Sequence, residues 1–292
     1  MEEFARSDLA AECGAGQEGD GVRVQQVTAG GCEILRVQIK TREASARIGK
    51  PEGRYVTVDC GEIRALDELE RERVRCALAV EIRDMAERMC GRRIGRDLSV
   101  LVVGLGNEEI TPDALGPKTA KSLSVTRHFP KSAALLPGGI SCDFSAIVPG
   151  VSGQTGVESA EIVRGAVREV APDLVIAVDA LAARSLSRLS TTVQLSDTGI
   201  LPGSGLGAPR AALDQARIGV PVMALGVPTV VNSATLVCDA LRLAGYGTLS
   251  GEIRKTVANG QSFFVSPSEV DVLVEAAALL LAEALEKAFT LP

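Results

Sequence analysis

Tryptophan is absent from this 292-residue chain, aromatic residues make up only 3% of it, and there is a single histidine. So few ring faces exclude the stacking platforms on which single-stranded nucleic acids are held. A surplus of positive charge is lacking too. Against 37 Asp and Glu there are 31 Lys and Arg, a net charge of −6, so a polyanion meets no overall attraction and no direct nucleic-acid partner is expected. The seven cysteines form no C-x-x-C pair and have no neighbouring His, which predicts scattered reduced thiols with neither metal nor cofactor. The longest apolar run, residues 276–282, is far short of the ~20 residues a membrane helix needs. Residues 1–8 show no basic start followed by an apolar stretch. A soluble cytoplasmic protein with no membrane partner is the expectation.

Aliphatic side chains dominate an apolar content of 46%, ample for the core of one large domain. Residues 13–21, rich in glycine and polar side chains, predict a loosely attached leader over residues 1–20, followed by a single domain over 21–292. Residues 22–27, 32–39 and 55–58 alternate apolar and polar side chains between Gly and Pro signals, the pattern of half-exposed antiparallel strands. Over residues 66–89 the apolar positions recur at helical spacing. Short aliphatic runs then appear at 100–103, 174–178 and 220–225, each the length of a strand buried on both faces, with helical segments such as 156–170 between them. Residues 232–243 and 270–289 read as covering helices. This grammar predicts an α/β sheet with helices on both sides and ligands at the C-terminal edge of its strands.

Two carboxylates fall at that edge. The run 100–103 leads into Gly104-Leu-Gly-Asn107 and on to Asp113, and the run 174–178 leads straight into Asp179. An Asp closing an aliphatic strand is poorly solvated and is expected to have a perturbed pKa. A single such Asp more often caps a helix or turn, Asp179 the segment after it and Asp113 the turn before Ala114, whereas two converging on one crevice favour chemistry. Other signals are weaker. In Gly104-Leu-Gly106 the third glycine of a dinucleotide-binding loop falls at Glu109. Asp197-Thr-Gly199 matches the loop of pepsin-like proteases but also reads as a turn. His128 reads as structural, and the glycine-rich loop 199–207 lacks the Lys-Ser/Thr ending of a phosphate-binding loop.

Taken in order, Gly104-Leu-Gly-Asn107 with Thr111-Pro-Asp-Ala-Leu-Gly-Pro117, Val125-Thr-Arg-His128, Pro149-Gly-Val151 with Gly153-Gln-Thr-Gly156, Asp179-Ala-Leu-Ala-Ala-Arg184, Asp197-Thr-Gly-Ile200 with Pro202-Gly-Ser-Gly205, and Gly226-Val-Pro-Thr-Val-Val231 resemble the germination protease family of spore-forming bacteria. The resemblance spans nearly the whole chain. It implies a three-layer αβα fold with a mostly parallel central sheet, similar to hydrogenase maturation proteases, plus an N-terminal antiparallel strand region. It also implies an atypical aspartic endopeptidase that degrades small acid-soluble spore proteins during germination, in the forespore or spore core, as a homotetramer. Asp113 and Asp179 become the catalytic carboxylates, sharing one proton while water is activated, with glycine-loop N–H groups binding the oxyanion.

Family members are made as zymogens and cut after an acidic residue, so a cation is expected in the specificity pocket. Arg127 and Arg184 are the candidates, with Gly104, Gly106 and Asn107 as further substrate-binding residues. Ser7-Asp-Leu-Ala-Ala-Glu12 resembles the family's substrate consensus, which places self-cleavage between Asp8 and Leu9. Two departures are a compact region over 232–265, where the family carries a longer insertion, and Glu108-Glu109 in place of an expected aromatic. Two alternatives remain open: a metal-dependent hydrogenase-maturation-type peptidase and a non-catalytic α/β binding protein.

Overall fold

The computed structural model describes residues 7–13, 19–130, 140–203, 211–246 and 263–290. Strands β1 (Val22–Ala29) and β2 (Cys32–Ile39) form a hairpin closed by Gly30-Gly31, whose φ of 62° and 83° are the left-handed values a two-residue turn of this kind requires. Helix α1 (Arg42–Ile48), capped by Thr41 and ended by Gly49, returns the chain to β3 (Gly53–Asp59) beside β2. Helix α2 (Glu68–Cys90) begins at a reciprocal cap between Asp67 and Glu70 and stops at the left-handed Gly91. Its buried face carries Val74, Leu78, Ile82 and Met85, as the apolar spacing predicts.

The second part alternates strand and helix: β4 (Ser99–Gly104), α3 (Leu115–Ser122), β5 (Asp143–Ile147), α4 (Ser152–Thr155), α5 (Ser159–Val170), β6 (Leu174–Ala183), β7 (Thr192–Ser196), α6 (Gln215–Ile218), β8 (Val222–Asn232), α7 (Ser233–Leu243), β9 (Phe264–Val265) and α8 (Val270–Ala288). All strands join one sheet in the order β1-β2-β3-β7-β8-β6-β4-β5, with β9 beside the end of β8. The sheet is mixed, not mostly parallel: among the described residues three ladders are parallel, within β5-β4-β6-β8, and five are antiparallel. The N-terminal strands form the expected antiparallel region, and through the β3–β7 and β7–β8 pairs they join the parallel half in one continuous sheet.

Helices α2, α3 and α8 cover one face of this sheet, and α5 and α6 cover the parallel half of the other, giving three layers. On that second face the α1 side packs on β2 and β3 around Val37, Ile39 and Tyr55. Between these two clusters the sheet presents small and polar side chains, among them Gln194, Ser196, Ala224 and Gly226, which line a cavity of about 670 Å³.

Three corrections to the sequence reading bear on this cavity. Strand β6 does not end at residue 178; both it and β8 run on past the end of β4, pairing Asp179 with Gly226 and Ala183 with Val231. Asp179 is therefore inside a strand, with no helix after it to cap. Gly226-Val-Pro-Thr-Val-Val231 is likewise strand, and the register shift between Leu181 and Ala182 accommodates Pro228. Residues 7–13 are held, not loose: Leu9 and Ala10 are fully buried, Leu9 against Leu181 and Ala183. The rest of the leader, 1–6 and 14–18, lies outside the described residues, as do 204–207 of the glycine-rich loop and 247–262 of the compact region.

Candidate active site

Asp113 reaches the cavity from a short turn, Thr111–Asp113, held against the sheet from two sides. The Asn107 N–H donates to Asp113 Oδ2 at 2.6 Å, and the Thr229 hydroxyl on β8 donates to the Pro112 carbonyl at 2.7 Å. Thr229 occupies the extra position opposite the Leu181/Ala182 register shift, so the irregularity in β8 aims a fully buried hydroxyl at the Asp113 turn. Gly106 makes the approach possible. Its φ is +115°, and a Cβ there would lie 2.0 Å from the Asp113 carbonyl oxygen. Asp113 does not cap α3, whose first residue follows Ala114 without a side-chain cap.

Asp179 enters from β6 and is buried at 6% exposure, its Oδ1 accepting the Ala180 N–H at 2.9 Å. By strand alternation its side chain shares the face of Ala177 and Leu181, the face that bounds the cavity. Across the β6–β8 ladder its partner is Gly226, where a Cβ would come 2.4 Å from the Asp179 carbonyl oxygen. Asp113 and Asp179 thus line one cavity, Asp113 from the turn after β4 and Asp179 from inside β6 and not from a strand end.

Two more aspartates line this cavity: Asp214, whose carboxylate accepts the Arg217 N–H at the start of α6, and Asp8. Its N–H donates to the Ala182 carbonyl and its Oδ2 accepts the Ala182 N–H, both at 2.9 Å, so residue 8 docks on the free side of the β6 extension. Lys50 Nζ at 3.1 Å and Gln194 Nε2 at 2.8 Å donate to the Asp8 carbonyl. Gln194 Oε1 accepts the Ala10 N–H at 2.7 Å. Further along, the Glu12 carboxylate accepts the Arg184 and Ser185 N–H groups at 2.7 and 2.8 Å, and the Ser7 hydroxyl closes on it. A short segment with Leu9 and Ala10 buried and both its acids on backbone donors is bound like a peptide ligand.

The remaining sequence candidates divide. Gly106 lines the cavity, whereas Gly104 packs against the α3 backbone, a Cβ there lying 2.3 Å from the Gly116 oxygen. Asn107 orients Asp113 and accepts from Gln154 Nε2 at 2.8 Å. Of the two expected cations, Arg127 is exposed, and Arg184 offers Glu12 its backbone N–H. The lone His128 is also exposed, its ring tilted by 40° against that of Phe129 with centroids 4.2 Å apart. Among the described residues no group of three or more His, Cys, Asp or Glu gathers as a metal site, and no helix is long and apolar enough to cross a membrane. Lys50 and Gln194 escaped sequence reasoning, since neither sits in a motif; Thr229 lies within the 226–231 motif, but only its bond to the Pro112 carbonyl marks its role.

Electrostatics near the cavity follow burial. Burial pushes the Tyr55 phenol up to about 12, against the lowering effect of its Thr198 hydrogen bond. Burial also raises the Asp197 carboxyl, opposed by the Arg54 N–H that donates to it at 2.7 Å. The Cys13 thiol is raised by burial as well, partly offset by the Lys50 charge.

Comparison with known proteins supplies an independent reading. The model of peptidase family A25, germination protease, matches residues 3–248. The chain is 38% identical to the germination protease of Caldanaerobacter subterraneus over 308 aligned residues, covering 97% of this chain and 93% of that protein. To the Clostridium acetobutylicum germination protease it is 36% identical, covering 95% and 92%. The match to the Bacillus subtilis germination protease is 45% identical over 215 residues, covering 73% of this chain and 56% of that protein.

Proposed function

The chain belongs to the germination protease family, a family of peptidases, and from that premise we propose that it is a paired-Asp endopeptidase made as a self-processing zymogen. The observation that carries the reading is the meeting of Asp113, Asp179 and the docked Asp8 at one cavity. Two carboxyl groups that share a proton act as acid and base together: one polarises the scissile carbonyl while the other draws a proton from the attacking water. Water adds to the carbonyl carbon, the C–N bond breaks, and the leaving nitrogen takes up a proton.

The substrates are small acid-soluble spore proteins, cut after an acidic residue in the spore core. Backbone donors supply the preference for acid, since Ala182 N–H meets Asp8 and the Arg184 and Ser185 N–H groups meet Glu12. Self-processing cuts Asp8–Leu9, and the segment 7–13 occupies the substrate cleft until then. Assembly as a homotetramer and kinship of the fold with hydrogenase maturation proteases belong to the same reading.

Incubating the purified chain with a small acid-soluble spore protein and mapping the fragments by mass spectrometry tests it. Cuts confined to bonds after Asp or Glu are expected. An untouched substrate, or cuts after neutral residues, would overturn it.

A further inference from the structure

Gln194 is the one residue of β7 that touches the leader through both ends of its amide. Its exposure is 8%, and its side chain bonds to both sides of the Asp8–Leu9 bond: Nε2 to the Asp8 carbonyl, Oε1 to the Ala10 N–H. Lys50 Nζ, carried by the chain just after the Gly49 stop of α1, reaches the same carbonyl oxygen. A buried amide whose donor and acceptor are both met by one segment of peptide must find replacements when that segment leaves, because a buried polar group left without a partner has lost its water and gained nothing in return. An extended peptide in the same register supplies them.

We propose that Lys50 and Gln194 form the clamp that binds the carbonyl oxygen of the bond to be cut, first in the chain's own leader and afterwards in its protein substrate. This rests on the reading of Asp8–Leu9 as the processed bond. As water adds to the Asp8 carbonyl carbon, the π electron pair moves onto the oxygen, which becomes an anion. The Lys50 ammonium and the Gln194 N–H already point at that atom and bind it more strongly as the charge grows. Collapse restores the carbonyl, breaks the bond to the Leu9 nitrogen, and passes a proton to that nitrogen. The clamp takes the place of the glycine-loop N–H groups expected from the sequence. It also couples catalysis to register, because Gln194 reads the Ala10 N–H two residues beyond the carbonyl.

The test uses the full chain and a peptide of residues 5–14 added in trans, with Lys50→Met, Lys50→Arg, Gln194→Leu and Gln194→Glu, each checked by thermal melting. Lys50→Met is expected to lower kcat on the peptide about 100-fold with KM changed by less than about threefold, the cost of one oxyanion donor. Lys50→Arg should recover part of that loss, which a merely structural lysine would not require. Gln194→Leu should lower kcat and raise KM together, whereas Gln194→Glu keeps the Ala10 contact and loses kcat alone. Lys50→Met and Gln194→Leu cutting within about threefold of wild-type kcat would overturn the clamp while leaving the proposed protease intact. If the wild-type chain leaves Asp8–Leu9 whole, the processing reading fails, and hydrogen exchange of residues 7–13 judges the clamp. Exchange that is faster in Gln194→Leu supports the clamp as the segment's anchor, and exchange equal to wild type overturns it.

Discussion

The Asn107 N–H meets Asp113 Oδ2 at 2.6 Å because Gly106, one residue earlier, takes a backbone conformation that only glycine adopts without strain. The loop after β4 is thus a device for holding a carboxylate, not for cradling a phosphate. Its glycines let the Asp113 turn lie against the strand ends, and the first amide beyond them fixes the oxygen.

Gly106→Ala is expected to displace Asp113. A Cβ would sit 2.0 Å from the Asp113 carbonyl oxygen, and the φ of +115° adds strain of about 1–3 kcal/mol. Turnover should fall at least about tenfold while the melting temperature drops only a few degrees, since the core around β4 is untouched. Peptide hydrolysis and calorimetry on the same preparation check both.

The Tyr55 phenol donates to the Pro51 carbonyl at 2.9 Å, next to Lys50. Burial holds its folded pKa at about 12, against about 10 in an unfolded chain. The folded state therefore binds the proton more tightly, and the stability Tyr55 supplies is whole below pH about 10 and fades as pH rises toward 12. Tyr55→Phe should cost about 1 kcal/mol at pH 8, one hydrogen bond, and should flatten the loss of stability at alkaline pH. Urea melts of both proteins from pH 8 to 11.5 measure the difference; parallel slopes would contradict it.

Much of this is legible in the residues alone. Asp113 and Asp179 stood out because charge follows an aliphatic run only where the strand ends or a site begins, and helix α2 declared itself through spacing and caps. The antiparallel weight of the sheet was hidden: β7 is only five residues long, and its pairing with both β3 and β8 is a long-range fact with no local signature. The length of β6 was missed because the carboxylate of Asp179 breaks the apolar run although the backbone ladder continues. The glycines of residues 13–21 suggested slack, but attachment is decided a few residues earlier, where Leu9 finds Leu181 and Glu12 finds two amides. Lys50 and Gln194 sit in ordinary helix-end and strand contexts, and their role exists only once residues 7–13 dock.

Water activated by a carboxylate pair requires no bridging ion, so hydrolysis should survive exhaustive chelation at an unchanged rate. Dialysis against EDTA followed by the peptide assay checks this. Activity lost on chelation and restored by a divalent ion would favour the metal-dependent peptidase instead.

Replacing each acid singly tests the account most directly. Asp113→Asn and Asp179→Asn should both fold, with melting temperatures near that of wild type, and each should lose at least about a thousandfold in kcat on a small acid-soluble spore protein, because a proton-sharing pair fails as a unit. Either variant turning over substrate at near wild-type rate would remove that aspartate from the chemistry and contradict the paired-carboxylate mechanism.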